Sequence, residues 1–225
     1  MQKLSDQKIV DSWGKNVKPW VAAVRQGEIE SRVLVTDRTI IDAVLARVPE
    51  TVIDVGCGEG WLVRELEKKG INCLGVDVVP ELIEYAKEEG GGTFKSLSFD
   101  ELACGVLDEQ FDVLVCNFSL LGNESVDQLF HKAPSILNEG GAFIVQTIHP
   151  VVGCGAEKYE DGWRQGSWAG FSDQFCDPAP WYFRTLETWK SLFEKNGFKI
   201  VDILEPINPK SKLPASIVFI GEVTA

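Results

Sequence analysis

One short stretch of this 225-residue chain combines the residue types that bind a charged small molecule. Residues 51–62 read T-V-I-D-V-G-C-G-E-G-W-L, with an acid at Asp54 and glycines at positions 56, 58 and 60. Glycine tolerates positive φ and lets a ligand approach the backbone closely. A helix that begins after such a turn presents unpaired N–H donors and partial positive charge. The stretch therefore predicts a buried strand, a tight turn and a helix, with a ligand site at the turn.

The spacing within this turn disfavours a dinucleotide ligand. A G-x-G-x-x-G fingerprint needs glycine where this chain has Trp61, and Asp54 repels a pyrophosphate while it attracts an ammonium group. S-adenosylmethionine (SAM) has no phosphate and carries an amino group, a carboxylate and a sulfonium. On the segment D-V-G-C-G-E-G the sequence resembles the class I SAM-dependent methyltransferases, which implies SAM as cofactor and S-adenosylhomocysteine as product. A glycine turn that only packs a helix on a strand is the alternative.

A second acid favours a nucleoside cofactor. Asp77 follows the predicted strand 71–76, about twenty residues beyond the glycine turn. A carboxylate at this position can accept hydrogen bonds from both ribose hydroxyls. Its alternative role is an N-terminal cap for the helix that begins near Pro80.

The resemblance also implies where the adenine ring binds. In the family an acidic residue followed by an apolar one flanks the ring, whereas this chain has Ser98-Phe99 with Asp100 one place later. Whether Ser98 or Asp100 reaches the adenine amino group stays open, and Phe99 offers a ring face to the purine. Asn117 and Phe118 end the fourth predicted strand, at the crevice where open α/β sheets bind ligands. The predicted cofactor-binding residues are Asp54, Gly56, Cys57 (interpreted as a small filler), Gly58, Trp61, Asp77, Val78, Ser98, Phe99, Asn117 and Phe118.

The acceptor side of the site is predicted in residues 149–184, which are rich in glycine and aromatic residues and lack helical or strand periodicity. A long ordered loop inside a compact domain is usually a lid or a binding loop. We interpret it as a substrate-covering cap; a cap that only shields the sheet edge is the alternative. The predicted substrate residues in this cap are Trp163, Trp168, Tyr182 and Arg184. Trp20 and Arg32 are predicted to join them, because the resemblance implies N-terminal helices that close over the cofactor cleft; plain packing is the alternative.

Methyl transfer from a sulfonium is an in-line displacement that needs no nucleophilic side chain, because the positive sulfur already activates the methyl group. An alcohol, phenol or acid acceptor can still need a general base. His149 follows strand five, where it can reach the acceptor, and is the candidate catalytic residue. A structural imidazole is the alternative role for this residue.

The remaining pattern predicts the elements that position these residues. The run F-D-V-L-V-C-N indicates a strand buried on both faces, and T-L-E-T-W-K-S-L-F-E-K-N-G predicts a helix capped by Thr185. Before the first strand, the spacing predicts a helix or helix pair, then a helix with Thr36 or Asp37 as its N-cap. The last two apolar runs are too close in sequence for a crossover helix, so we predict antiparallel neighbours.

Together with the resemblance, these elements predict an α/β, Rossmann-like fold. We expect a seven-stranded, mostly parallel sheet with an antiparallel terminal hairpin, helices on both faces, an N-terminal helical extension and a cap insertion after strand five. Residues 1–225 are expected to form a single methyltransferase domain. Its parts are an N-terminal helical segment (1–47), a SAM-binding core (48–148), the cap (149–184) and a C-terminal helix with a strand pair (185–225).

Composition limits the partners of the chain. A net charge of −12 disfavours nucleic acid and anionic membrane surfaces, which attract lysine and arginine. The first residues, M-Q-K-L-S-D-Q-K, lack an apolar signal core, and no run approaches the roughly 18 apolar residues of a membrane span. The 6 scattered cysteines form no C-x-x-C pair and there are only 2 histidines, which predicts a reduced cytoplasmic enzyme without a metal site. We expect a monomer or homodimer.

These observations predict a SAM-dependent methyltransferase that acts on a small, at least partly apolar molecule. The alternatives are a nucleotide-dependent oxidoreductase, which Asp54 and Trp61 disfavour, and a non-catalytic SAM-binding protein. The intact glycine turn followed by Asp77 argues against a decayed site.

Overall fold

A central seven-stranded sheet organises the computed structural model, which describes residues 4–224. The strands are β1 (Thr51–Val55), β2 (Asn72–Asp77), β3 (Thr93–Ser96), β4 (Phe111–Asn117), β5 (Leu137–Thr147), β6 (Gly162–Arg164), β7 (Trp181–Phe183), β8 (Phe198–Leu204) and β9 (Ile217–Val223). The large sheet has the order β3-β2-β1-β4-β5-β9-β8. Strand β9 pairs antiparallel with β5 and β8, whereas the other pairs in this sheet are parallel. The predicted mostly parallel sheet with an antiparallel terminal pair is confirmed.

Helices pack on both faces of this sheet. They are α1 (Asp6–Lys15), α2 (Val17–Arg25), α3 (Asp37–Leu45), α4 (Trp61–Glu67), α5 (Pro80–Glu89), α6 (Phe99–Ala103), α7 (Glu124–Ile136), α8 (Pro150–Gly153) and α9 (Leu186–Lys195). Thr185 caps α9 as predicted, because its side chain accepts the N–H of Thr188.

Alternate side chains of the central strands enter two cores, one on each face. In β1, Ile53 enters the core that contains Phe130 and Phe143, whose ring centroids are 4.8 Å apart. Its neighbour Val52 enters the core that contains Leu62 of α4. Burial on both faces holds the parallel strands in register, so the residues at their carboxyl ends share one rigid edge.

The helix before β1 begins earlier than the sequence predicts. Helical backbone starts at Glu30 and passes through a π-helical turn, Arg32–Thr36, before it continues as α3. Thr36 and Asp37 both lie inside this continuous helix, so the prediction that one of them caps its start is wrong. Asp37 instead accepts a hydrogen bond from Arg32 at 2.8 Å. A π-helical turn often occurs at a functional site.

The insertion after β5 contains more regular structure than its sequence predicts. Helix α8 follows β5, and β6 pairs antiparallel with β7 in a two-stranded ribbon. Trp163 lies opposite Tyr182 in this ribbon, and their ring centroids are 5.5 Å apart. The insertion was predicted to be a long loop, and this is wrong for the ribbon. Aromatic cross-strand pairs stabilise the ribbon although its two strands lie far apart in the chain.

Candidate active site

The glycine turn and Asp77 form one hydrogen-bonded unit at the carboxyl edge of the sheet. Asp77 accepts the N–H of Gly58 at Oδ2 and the N–H of Val79 at Oδ1, each at 2.9 Å. Burial raises the pKa of Asp77, and these backbone bonds, which favour the carboxylate, oppose that rise. Gly58 has a φ of +58°, and a Cβ on it would lie 3.4 Å from the indole nitrogen of Trp20. Helix α2 therefore reaches over the glycine turn at Trp20.

Close packing beneath the turn requires glycine at two positions. Gly60 has a φ of +84°, and a Cβ on it would lie 2.6 Å from the ring of Phe94. A Cβ on Gly75 of β2 would lie 2.8 Å from the same ring and 2.9 Å from Sγ of Cys57. Cys57 is buried, and burial raises the pKa of its thiol. Its side chain therefore fills space below the turn, which agrees with the interpretation of Cys57 as a filler.

Asp54 is a buried acid at the carboxyl end of β1, with 2% of its surface exposed. Its Oδ1 finds no hydrogen-bond partner among residues 4–224. Burial, followed by repulsion from Asp77, raises the pKa of Asp54 from 3.8 to about 8, while Arg32 acts in the opposite direction. A carboxyl group in this state is a ready partner for a cationic ligand, because a positive charge nearby would stabilise its ionised form.

Arg32 contacts two indole rings near the glycine turn. The guanidinium carbon of Arg32 is 4.5 Å from the ring centroid of Trp61 and 6.0 Å from that of Trp20. Arg32 is buried, and its Nε donates to Asp37. Arg32 is close enough to Asp54 to affect its pKa, and Trp20 lies beside Gly58, so both residues lie at the glycine turn; the acceptor contact predicted for them stays a prediction.

Gln146, which the sequence analysis did not select, connects three segments at this edge. Its Nε2 donates to Oδ1 of Asn117 at 2.7 Å and to the carbonyl of Thr36 at 3.1 Å, while its Oε1 accepts from Ser216 at 3.2 Å. Its backbone carbonyl accepts the N–H of Phe118 at 2.8 Å. Phe118 has a φ of +54°, a strained conformation for a non-glycine residue that clusters at functional sites. In the sequence, Gln146 stands out as a polar residue within the apolar strand β5, and a buried polar side chain needs hydrogen-bond partners.

Glu59 is another buried residue that the sequence analysis missed. It belongs to the glycine turn, and its carboxylate pairs with Arg25 at 3.0 Å and with Arg64 at 2.6 Å. Arg64 also donates to the carbonyl of Glu59 at 2.6 Å. These contacts fix the turn to α2 and α4. In the sequence, an acid inside a glycine turn could have indicated this role, because a buried carboxylate requires nearby cations.

Ser98 and Phe99 begin helix α6 after β3. The hydroxyl of Ser98 accepts the N–H of Glu101 at 3.1 Å, and the carboxylate of Glu101 accepts the backbone N–H of Ser98 at 2.8 Å, which completes a capping box. Phe99 packs half-buried against one core, whereas Asp100 and Val78 are exposed. The hydroxyl of Ser98 is engaged in the cap, whereas the side chains of Asp100 and Val78 face solvent.

A cluster of aromatic rings joins the N-terminal helices to the insertion after β5. The ring centroids of Trp168 and Trp13 are 5.6 Å apart, and those of Trp13 and Trp20 are 4.9 Å apart. Asn16 is fully buried and bonds to the carbonyl and the N–H of Cys176, at 2.8 and 2.9 Å. These contacts make Trp168 part of a roof that reaches the glycine turn through Trp20.

Tyr182 and Arg184 lie at the other end of the insertion. Arg184 is buried, and its guanidinium donates to the carbonyls of Gly122 at 2.7 Å and Asn123 at 3.0 Å. Its guanidinium carbon is also 4.9 Å from the ring centroid of Tyr182. These contacts hold the loop after β4, and Arg184 also lines the small cavity beside Tyr182, so the acceptor contact predicted for it stays a prediction.

His149 follows β5 and is 6% exposed. Its Nε2 lies 2.7 Å from Oε1 of Glu205, and its Nδ1 has no hydrogen-bond partner within the described part of the chain. The residues on either side of it, Ile148 and Pro150, line a small cavity together with Tyr182. The structure therefore places His149 at the predicted edge and adds Glu205 as its partner.

Within residues 4–224, no three side chains of His, Cys, Asp or Glu come together as a metal site. Over the same residues, no helix combines the length and apolar character that crossing a membrane requires. Each cysteine of the described chain is a free thiol.

The sequence resembles known methyltransferases. A family described as a methyltransferase domain matches residues 34–203. The demethylmenaquinone methyltransferase of Deinococcus radiodurans is 27% identical over 111 residues, which are 47% of this chain and 46% of that protein. The ubiquinone biosynthesis O-methyltransferase of Rickettsia felis is 26% identical over 176 residues, which are 74% of this chain and 69% of that protein. The chain thus spans about half the length of the first relative.

A solved structure has the same fold over the whole chain. It is the 1,6-didemethyltoxoflavin-N1-methyltransferase of Burkholderia thailandensis with bound 1,6-didemethyltoxoflavin and S-adenosylhomocysteine. The TM-score is 0.65 at 18% identity, and the match covers 100% of this chain and 93% of that one. The predicted Rossmann-like fold class is confirmed by this likeness and by the strand order.

Proposed function

This chain belongs to the methyltransferase-domain family, and we propose that it transfers a methyl group from SAM to a small molecule. The observation that carries the proposal is the buried carboxyl of Asp54, whose Oδ1 has no partner among the described residues. Arg32 and the Gly58–Asp77 unit lie beside it. SAM carries an ammonium and a carboxylate at one end and two ribose hydroxyls further along. These groups complement the acid, the guanidinium and the second acid.

The residues present fit this cofactor group by group. Asp54 would hold the ammonium, and Arg32 would hold the carboxylate through charge-assisted hydrogen bonds. Asp77 would accept the ribose hydroxyls, since a carboxylate has lone pairs beyond those that the N–H groups of Gly58 and Val79 occupy. In this arrangement the adenine ring would lie among Val78, Ser98 and Phe99. The floor of the crevice would be formed by Gly56, Trp61, Asn117 and Phe118.

When bound, SAM supplies a methyl group that its positive sulfur has already activated. The side chains of this protein then have to hold the acceptor in line with that methyl group and keep water away. Positioning of this kind can contribute about 7–11 kcal/mol to lowering a barrier. The roof formed by Trp13, Trp20 and Trp168 supports the second task, because it covers the turn with apolar rings.

We expect the acceptor to be a small, partly apolar molecule. A small cavity after β4 and β5 is lined by Leu121, Ile148, Trp181 and Tyr182 and by Arg184; it has room for about one water molecule, so an acceptor with an apolar body would have to displace some of these side chains. The similar proteins are named for demethylmenaquinone, ubiquinone biosynthesis and didemethyltoxoflavin, which supports a small-molecule acceptor. The net charge of −12 argues against a nucleic-acid acceptor.

Calorimetric titration of the purified protein with S-adenosylhomocysteine tests the cofactor assignment, with NAD and NADP in parallel titrations. We expect micromolar binding of S-adenosylhomocysteine alone. Asp54→Asn should weaken this binding at least tenfold. Asp42→Asn is the matched control, because Asp42 is an exposed acid on α3 that pairs with Arg38 at 3.3 Å. Its affinity should equal that of the wild type.

Two results would contradict the assignment. Binding of NAD or NADP without binding of S-adenosylhomocysteine would favour the oxidoreductase alternative. Equal affinity of the wild type and Asp54→Asn for S-adenosylhomocysteine would contradict the role assigned to Asp54, on which the proposal depends. A protein that binds the cofactor yet methylates no acceptor would instead be the non-catalytic SAM-binding protein.

A further inference from the structure

His149 and Glu205 pair across the width of β9 at the carboxyl edge of the sheet. Strands β5 and β8 run in the same direction with β9 between them, so the residues that follow β5 and β8 meet at one edge. The distance from Nε2 of His149 to Oε1 of Glu205 is 2.7 Å. The imidazole is 7% exposed and the carboxylate 53% exposed. One end of the pair is therefore inside the protein and the other is in water.

The buried nitrogen of this pair lacks a partner. In a neutral imidazole one ring nitrogen donates a hydrogen bond and the other accepts one. An ionised Glu205 can only accept, so it selects the form of His149 that carries hydrogen on Nε2. The lone pair is then on Nδ1, which has no hydrogen-bond partner among residues 4–224. Buried polar atoms are almost always satisfied, so an exception points to a ligand, a water molecule or a chemical role.

The position of the pair suits a chemical role. Ile148 and Pro150 flank His149 in the chain and line the cavity after β4 and β5. One strand, β4, separates β5 from β1, which carries Asp54. Two strand spacings correspond to about 10 Å, a distance that the amino-acid end of a bound SAM and the reacting atom of the acceptor can together span between Asp54 and His149.

We propose that His149 is the general base of the reaction and that Glu205 is its positioning residue. The acceptor is then a molecule whose O–H or N–H proton is lost on methylation. This inference rests on the proposed function, because it needs a methyl donor at the glycine turn. An acceptor that is already ionised at neutral pH, such as a carboxylate, would have no use for the pair.

The step balances in atoms and charge. Nδ1 of His149 takes the proton of the acceptor, and the electron pair left on the acceptor oxygen or nitrogen forms the bond to the methyl carbon. The carbon–sulfur bond breaks, and its electron pair stays on sulfur as a neutral thioether. The positive charge of the sulfonium is replaced by that of the imidazolium, which the carboxylate of Glu205 stabilises. When the products leave, the imidazolium releases the Nδ1 proton to water, while Glu205 keeps the hydrogen on Nε2 and the bare Nδ1 is restored.

The first test reads the imidazole directly and needs no acceptor. The chain has 2 histidines, and His131 is exposed on α7, so His131→Gln assigns both rings in long-range ¹H–¹⁵N spectra. We expect hydrogen on Nε2 and a bare Nδ1 in the wild-type ring. Glu205→Leu should abolish this single form. Hydrogen on Nδ1 of the wild-type ring, in either the neutral or the charged form, would overturn the proposal.

The second test measures turnover with SAM and a panel of phenols and aromatic amines of graded acidity. His149→Gln keeps an amide that can bond to Glu205 but has no base, and it should lower kcat by roughly 10²–10⁴-fold. The loss should shrink as the probe becomes more acidic. Glu205→Gln should lower kcat without changing KM, Glu205→Asp should recover part of the rate, and His131→Gln should have no effect.

S-adenosylhomocysteine titration of every variant separates the two proposals. A wild type that does not bind it refutes the proposed function. Equal binding by all variants, together with loss of turnover in His149→Gln, supports the base. Unchanged turnover in that variant overturns the base. A wild type that binds S-adenosylhomocysteine but methylates no phenol or amine overturns the acceptor class.

Discussion

Replacing Asp54 with asparagine is expected to stabilise the free protein. Asparagine has nearly the same shape as aspartate and cannot ionise. In the wild type the carboxyl is buried near Asp77, and both burial and that repulsion raise its pKa to about 8. The folded protein therefore holds a proton that the unfolded chain releases at a much lower pH, and this difference makes the residue a liability to stability at neutral pH.

The sign and size of the effect follow from the two pKa values of Asp54, 3.8 ordinarily and about 8 when folded. Below about pH 4 both states hold the proton, and the substitution changes stability little. As pH rises towards 8, only the unfolded chain ionises, so wild-type stability falls by about 1.4 kcal/mol for each unit. The penalty is about 4 kcal/mol at pH 7 and has a ceiling of about 6 kcal/mol above pH 8.

Urea unfolding of the wild type and Asp54→Asn between pH 5 and 8, without ligand, measures this difference. The stability gain of the variant should grow steadily with pH. Asp42→Asn removes an exposed acid and should show a small, flat difference. A gain that does not depend on pH, or a variant less stable than the wild type at pH 8, would refute the reasoning, because Asp54 would then be ionised in the folded protein.

The pH dependence of cofactor binding tests the protonation of Asp54 independently. If the ammonium group of the cofactor pairs with ionised Asp54, binding expels the proton that the free protein holds. The affinity for S-adenosylhomocysteine should then rise from pH 6 to 8, by up to about tenfold for each unit. Calorimetry in two buffers of different ionisation enthalpy counts the released proton, and Asp54→Asn should release none. An affinity that falls over this range would contradict the pairing.

Three further substitutions test the architecture around the turn. Asp77→Ala should weaken S-adenosylhomocysteine binding by about 1.5–3 kcal/mol, measured by calorimetry, because it removes the proposed ribose contacts; unchanged affinity in a folded variant would exclude them. Gly75→Ala should lower the free energy of unfolding by about 1–3 kcal/mol, since its Cβ would lie 2.8 Å from Phe94. Glu59→Gln should cost about 3–5 kcal/mol in urea unfolding, because it leaves Arg64 without its buried partner, and a neutral result would show that Arg64 relaxes into solvent.

The local parts of the site could be read from the sequence. Asp54, the glycines and Asp77 belong to a strand, a turn and the end of the neighbouring strand, so their spacing along the chain already determines their spacing in the fold. The strands of the sheet could also be predicted from the sequence, because parallel strands that are buried on both faces are apolar throughout. Phe118 was predicted at the crevice, but its positive φ was not, since that conformation depends on the bond to Gln146.

The parts that depend on tertiary contacts could not be read in this way. Arg32 lies in a π-helical turn and contacts Trp61 at the start of α4, and the π-helical turn has no signature in the local sequence. Glu205 meets His149 across 56 positions of sequence and the width of β9. Arg184 was predicted from its place among aromatic residues, yet its partners are the carbonyls of Gly122 and Asn123, which lie far away in the chain.

The unsatisfied polar atoms provide an argument that does not depend on any relative. Among residues 4–224, the buried side-chain atoms without a hydrogen-bond partner are Oγ1 of Thr36, Oδ1 of Asp54 and Nδ1 of His149. Asp54 belongs to β1, His149 follows β5, and the carbonyl of Thr36 is bonded to Gln146 of β5, so all three lie near one edge of the sheet. Because the other buried side-chain nitrogen and oxygen atoms of these described residues have partners, the exceptions are concentrated where ligand atoms are expected to complete them. Because one exception is an acid near a guanidinium and another is a bare imidazole nitrogen, the edge is suited to a charged cofactor on one side and a proton-bearing acceptor on the other.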